Sequence, residues 1–316
     1  MRPSHFIMPT QSYKHKRQAE EAREAKEANQ DKRFAVMEDH TRAAVLAMYD
    51  VLDSQHPGHV IPGYDRDHAE RTTRVVLTVA RALGMSETRL ADLELIALLH
   101  DLGRAGMDPK LFGAIFGLAQ ERGLPVRIRE LLTRYPEVAE EQAPAYFLDL
   151  ISPALHEQGL ETTEQLRDHI AMRMNFKGRL RGLLKEREPE LRALGLELKP
   201  FMETVMLYYY YPEGMETADE DVRLMGMILV ACENFEAFNN WRRGRDYYGR
   251  AKERLSDVFE ALAKFEADGL VSSVVMATLR RLTTSGDLDA IIKESRGVSP
   301  GSPLPDEDLA FQRSGR

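Results

Sequence analysis

Cysteine is almost absent: Cys232 is the only one in 316 residues. A single thiol excludes an internal disulfide and a cysteine-based zinc cluster, and it fits a reducing compartment. Long apolar runs are missing too. No stretch approaches the roughly 18 apolar residues that a membrane span needs. The first 16 residues carry neither an apolar h-region nor an A-x-A cleavage site. The expectation is a cytoplasmic protein with no membrane partner. An excess of base is also lacking. Acidic residues outnumber basic ones 51 to 43, for a formal net charge of −8. A phosphate-coating surface needs clustered base, so nucleic acid is not an expected partner. Runs of alternating polar and apolar residues, the mark of a half-buried strand, are not found, and no repeat of 20–50 residues occurs.

What is present is a 43% hydrophobic fraction, enough to bury a sizeable core, and it recurs at helical spacing. The fold class read from this is all-α. Residues 1–33 form a charged N-terminal arm whose helix formers offer only Ala19, Ala22, Ala25 and Ala28 for burial. It reads as a solvated helix, with a protein partner as the alternative. One main domain is expected over 34–294. It opens on a stripe of Phe34, Met37, Thr41, Val45, Met48, Tyr49 and Leu52, which is broken near His56–His59. A helix follows from Asp65 to Leu83. Gly84 ends it, Ser86 caps the next, and that one runs to His100. Further helices are predicted near 111–135, 140–158, 163–187, 200–211, 219–241, 245–267 and 271–284, with Pro189, Pro200 and Pro212 as breaks. Residues 110–200 read as a helical insertion over the site. Residues 295–316 have the composition of a flexible tail.

The strongest chemical signal is LIALLHDLGRAG, Leu95 to Gly106. An apolar helix ends in adjacent His100 and Asp101, followed by Gly103 and Arg104. Imidazole nitrogen and carboxylate oxygen suit a divalent transition metal, and Arg104 can hold a phosphate oxygen. His68 lies on the preceding amphipathic helix. One helical hairpin therefore carries three candidate ligands.

The segment Asp65–Pro109 resembles the HD superfamily of metal-dependent phosphohydrolases. His68 matches the first histidine, His100–Asp101 the namesake pair, and Arg104 the usual lysine after it. Downstream, ILVACENFEAFNNWRRGRDYY, Ile228 to Tyr248, resembles the closing segment of the HD-GYP branch. The resemblance covers about 65–110 and 200–280. It implies an HD-domain helical bundle, a metal set of His68, His100, Asp101 and Glu233, and Asp101 and Arg104 as catalytic residues. Arg104, Arg245 and Tyr247 would bind substrate. It also implies a divalent cofactor (Fe, Mn, Zn or Mg) and a phosphorylated small molecule or nucleotide as ligand, cyclic di-GMP in the HD-GYP branch. The chain departs from the branch in two places. Tyr135 stands where a further histidine is usual. Tyr208–Tyr211 replace paired histidines before an unrecognisable GYP loop. Two functions stay open: a divergent phosphohydrolase, and a degenerate domain that binds a ligand or protein without turnover.

Other residues read as structural first. His40, His56 and His59 flank the first loop. His156 and His169 could replace missing ligands, but no His-x3-His or Glu-x2-His spacing links them to the pair. The Tyr208–Tyr211 cluster reads as core packing before base stacking, and Cys232 as a small buried residue. Trp241–Arg245 is a local basic patch that can grip phosphate or pair with surface acids.

Overall fold

The structure is a computed structural model that describes residues 36–52, 60–61, 63, 65–241 and 253–315. The arm 1–33, Phe34, His56, His59, Arg245 and Tyr247 lie outside the described residues. The fold is all-α. Its helices are α1 (Asp39–Ala47), α2 (Arg66–Ala82), α3 (Glu87–Leu99), α4 (Pro109–Glu121), α5 (Ile128–Arg134), α6 (Ala143–Glu157), α7 (Glu164–Met174), α8 (Phe176–Ala193), α9 (Pro200–Leu207), α10 (Glu220–Asn239), α11 (Leu255–Ala267), α12 (Ser273–Ser285), α13 (Asp289–Arg296) and α14 (Asp306–Ser314). Among the described residues no helix is long and apolar enough to cross a membrane.

Three helices build the centre. α2 packs most extensively against α3 and next against α10. α2 can be buried on most sides because it spends Val75, Val76, Leu77, Val79 and Ala80 on its neighbours. α10 is similarly enclosed, with Met225, Ile228, Leu229, Val230, Cys232 and Phe235 in the core. The turn between α2 and α3 follows its sequence signals. Gly84 adopts φ +78°, where a side chain is strained, and the Ser86 hydroxyl accepts from the Arg89 backbone N–H.

Several expected boundaries are corrected. A two-residue antiparallel ladder, Val51–Leu52 with Val60–Ile61, pairs where no strand is predicted. It is too short to leave an alternating pattern. The 111–135 helix is two helices, parted by Gly123 at φ +66°. The 163–187 helix is also two, α7 and α8. Asn175 interrupts them at φ −149° and caps α8 by accepting from Gly178 N–H. Pro189 does not break α8 but sits inside it. It is exposed and so is Lys185, whose carbonyl loses its donor, so water can take the donor's place. Pro200 and Pro212 open helical turns, the position proline favours.

The largest correction concerns the end of the chain. Residues 306–314 form α14 rather than a flexible tail, and α13, unpredicted, precedes it. Asp308 and Gln312 are buried. Asp308 pairs with the Arg296 guanidinium and accepts from Leu255 N–H at 2.8 Å. Gln312 donates to Thr283 O at 2.9 Å. The anchors are few and scattered: buried Leu304, and Phe311 stacked on Phe259, join Asp308 and Gln312 in a segment otherwise rich in serine, proline and glycine.

Candidate metal centre

Each candidate ligand is delivered by a different part of the three-helix core. His68 lies in the first turn of α2. His100 follows the last residue of α3, and Asp101 opens a short 3-10 turn, Leu102–Arg104. Glu233 projects from α10. One ligand atom from each of the four lies within 4.8 Å of all the others. His68, His100 and Asp101 are buried. The imidazoles are 5.4 Å apart between centroids. Asp101 Oδ2 is 3.7 Å from His68 Nε2 and 3.8 Å from His100 Nε2.

The ring nitrogens facing away from this point are engaged. His68 Nδ1 meets Glu236 Oε2, and His100 Nδ1 lies 2.7 Å from Ala97 O. The nitrogens facing inward, His68 Nε2 and His100 Nε2, are buried with no hydrogen-bond partner. An unmet buried polar atom costs about 1–3 kcal/mol, so two aimed at one point call for a common occupant. Two imidazoles held from behind by a carboxylate and a backbone carbonyl are the arrangement of metal-binding histidines. The residues therefore fit a metal ion: the group could hold one. Two nitrogen and two carboxylate donors suit zinc, iron or manganese better than magnesium, which prefers an all-oxygen set.

The electrostatics agree. Burial pushes Glu233 up to about 7, with the Asp101 charge adding to it. Burial would raise Asp101 too, but Arg104 and the two imidazoles hold it below the usual carboxylate range. Burial lowers His100 to about 4. Burial would also lower His68, but Glu236, together with the Asp101 and Glu233 charges, keeps the ring above its ordinary value. Ionised Asp101 and Glu233 repel each other here, and a divalent cation would relieve that repulsion.

Arg104 sits beside the centre with its Nε 3.1 Å from Asp101 Oδ1. Its Nη2 donates to the Tyr210 hydroxyl at 3.2 Å, and its Nη1 is 3.7 Å from buried Asp65. The Tyr208–Tyr211 cluster therefore reaches the site through Tyr210, whose phenol burial raises to about 12. Its ring packs on Phe176 and Tyr209. Tyr135 packs on Tyr146 instead, with ring centroids 5.0 Å apart. His169 is no replacement ligand. Its Nδ1 lies 2.7 Å from Gln165 O, and Asp108 N–H donates to its Nε2 at 2.8 Å. His156 and His40 are exposed. Within the basic patch only Trp241 is described, and it lies under the Arg296 guanidinium. Cys232 is buried.

From the segment 110–200, α8 braces the site. Arg179 of α8 donates to Gly103 O at 2.8 Å and to Ala105 O at 2.9 Å. A Cβ on Gly103 would come within 2.6 Å of the Phe176 ring. The turn after the His–Asp pair is thus gripped by α8.

Sequence reasoning gave no role to Glu236 or Arg71. The signal for Glu236 was its spacing: three residues after Glu233, it shares that residue's helix face. Arg71 holds it with an Nε–Oε1 hydrogen bond of 2.6 Å. The chain matches no protein-family model, no curated protein and no solved structure.

Proposed function

We propose that the chain is a divergent HD-type metal-dependent phosphohydrolase acting on a nucleotide or cyclic dinucleotide phosphoester. The observation that carries this reading is the convergence of His68, His100, Asp101 and Glu233, with two inward imidazole nitrogens unmet. A divalent ion held there would supply Lewis acidity and lower the pKa of a bound water. His68 and His100 would hold the ion through Nε2, fixed in orientation by Glu236 and Ala97 O. Asp101 would help to hold it, and its carboxylate would orient a water for attack. Arg104 offers a guanidinium to the phosphate and neutralises charge that develops on it.

One observation favours a second reading, a domain that binds metal and ligand without turnover. Arg104 already has Asp101 and Tyr210 as partners. Substrate would have to draw it away from the tyrosine.

The test is hydrolysis of bis(p-nitrophenyl) phosphate and of cyclic di-GMP by manganese- or iron-loaded protein. Under the first reading the wild type turns over at least one of them. Asp101→Ala abolishes that turnover with its helical circular dichroism intact. Metal uptake with no turnover of either ester would select the second reading.

A further inference from the structure

The last turn of α13 carries three consecutive residues that each reach a different element. Glu294 pairs with Arg74 at 2.6 Å and lies 3.7 Å from Arg71. The Ser295 hydroxyl donates to Glu236 Oε1 at 3.0 Å. The buried Arg296 guanidinium pairs with Asp308 of α14, donates to Asn239 Oδ1 at 2.7 Å and stacks over Trp241. The turn's backbone is tied as well, since Trp241 N–H donates to Ser295 O at 3.1 Å. Glu236 therefore has Oε1 shared by Arg71 and Ser295, and Oε2 facing His68 Nδ1.

We propose that this turn is a positioning clamp for His68, so that the C-terminal helix sets metal affinity. Ser295 and Arg71 fix the rotamer of Glu236. Glu236 fixes the ring angle and tautomer of His68. The Arg296–Asp308 pair seats the turn against the end of α10, which carries both Glu233 and Glu236. Packing alone does not explain this junction. Arg71, Glu236, Ser295, Arg296 and Asp308, from α2, α10, α13 and α14, meet where burial penalises each of them. A carboxylate with one oxygen saturated leaves the other as the single acceptor for an imidazole. That is how outer partners orient a ligating histidine.

The inference rests on the metal-binding reading of the centre, and the experiment separates the two. Cobalt(II) is titrated into metal-free full-length protein against a chelating dye, and the d–d spectrum is recorded. The proteins are wild type, Glu236→Gln, Ser295→Ala, Asp308→Asn and, as a core variant away from the clamp, Phe147→Leu. Glu236→Gln is expected to weaken binding about 10–100-fold, and Ser295→Ala and Asp308→Asn about 10-fold, with altered spectra. Phe147→Leu lowers the melting temperature and leaves affinity and spectrum unchanged. Wild-type affinity and spectrum in Ser295→Ala would overturn the clamp and leave the metal centre standing. Should Asp308→Asn fail to fold, Ser295→Ala, which removes one oxygen, decides alone. A wild type that takes up no cobalt overturns the metal reading and the clamp with it.

Discussion

At His68 and His100 the nitrogen turned away from the centre is already engaged, so the nitrogen turned toward it awaits a partner. Glu233 shows the same incompleteness as a proton affinity. Its pKa rises from an ordinary 4.5 to about 7, through burial and then Asp101. A carboxyl raised on folding binds its proton more tightly in the folded state. Its contribution therefore favours folding at acid pH and fades as pH climbs from about 4.5 to about 7. His100, lowered to about 4, acts in the opposite direction over part of that range, so the useful quantity is a difference. In metal-free protein, the melting temperature of wild type minus that of Glu233→Gln should fall as pH rises through the window. Saturating divalent metal should reverse the order near neutrality, because the ionised carboxylate then has a cation to bind. A difference that stays flat with pH and metal would remove Glu233 from the centre. At this scale the gathering of the four candidate residues was legible: His68, His100 and Asp101 through residue type and the His–Asp adjacency, and Glu233 only through the family resemblance. Glu236 and Tyr210 were not, because their roles come from neighbours distant in sequence.

Helices α2, α3 and α10 carry or lead into the candidate ligands, but the 3-10 turn Leu102–Arg104 sets where Asp101 and Arg104 point. That turn is pressed between the core and α8. Gly103→Ala should force the Phe176 ring to move and cost about 1–3 kcal/mol of stability, as overpacking does. It should also weaken metal binding, since the strain falls two residues from Asp101. Denaturant unfolding and a cobalt titration on one variant read both effects. A stability loss with unchanged affinity would confine α8 to a packing role. The α2–α3 hairpin was legible almost to the residue, since Gly84 and Ser86 punctuate it by backbone strain and side-chain capping. The α7–α8 break was hidden. Asn175 interrupts a sequence that otherwise reads as one helix, and Pro189 gave a break that solvent exposure makes unnecessary.

Over the whole molecule, α14 closes the structure onto α11, α12 and α13 through Asp308 and Gln312. Deleting residues 306–316 leaves Arg296 without its carboxylate. The expected loss is about 3 kcal/mol, the usual effect of removing one partner of a buried ion pair. Urea unfolding measures it, and an unchanged midpoint would restore the reading of this segment as a tail. The all-α class was legible from the absence of alternation and the helical spacing. The end of the chain was misread because its attachment depends on a few scattered residues, Leu304, Asp308, Phe311 and Gln312, which composition does not register. The function proposed above requires His68, His100, Asp101 and Glu233 to act as one metal centre. The most direct test is metal content by plasma mass spectrometry on tag-free protein, beside His100→Ala and Asp101→Ala. Near-stoichiometric zinc, iron or manganese is expected in the wild type and is lost in both variants. No metal in the wild type even after loading, or equal metal in all three proteins, would contradict it.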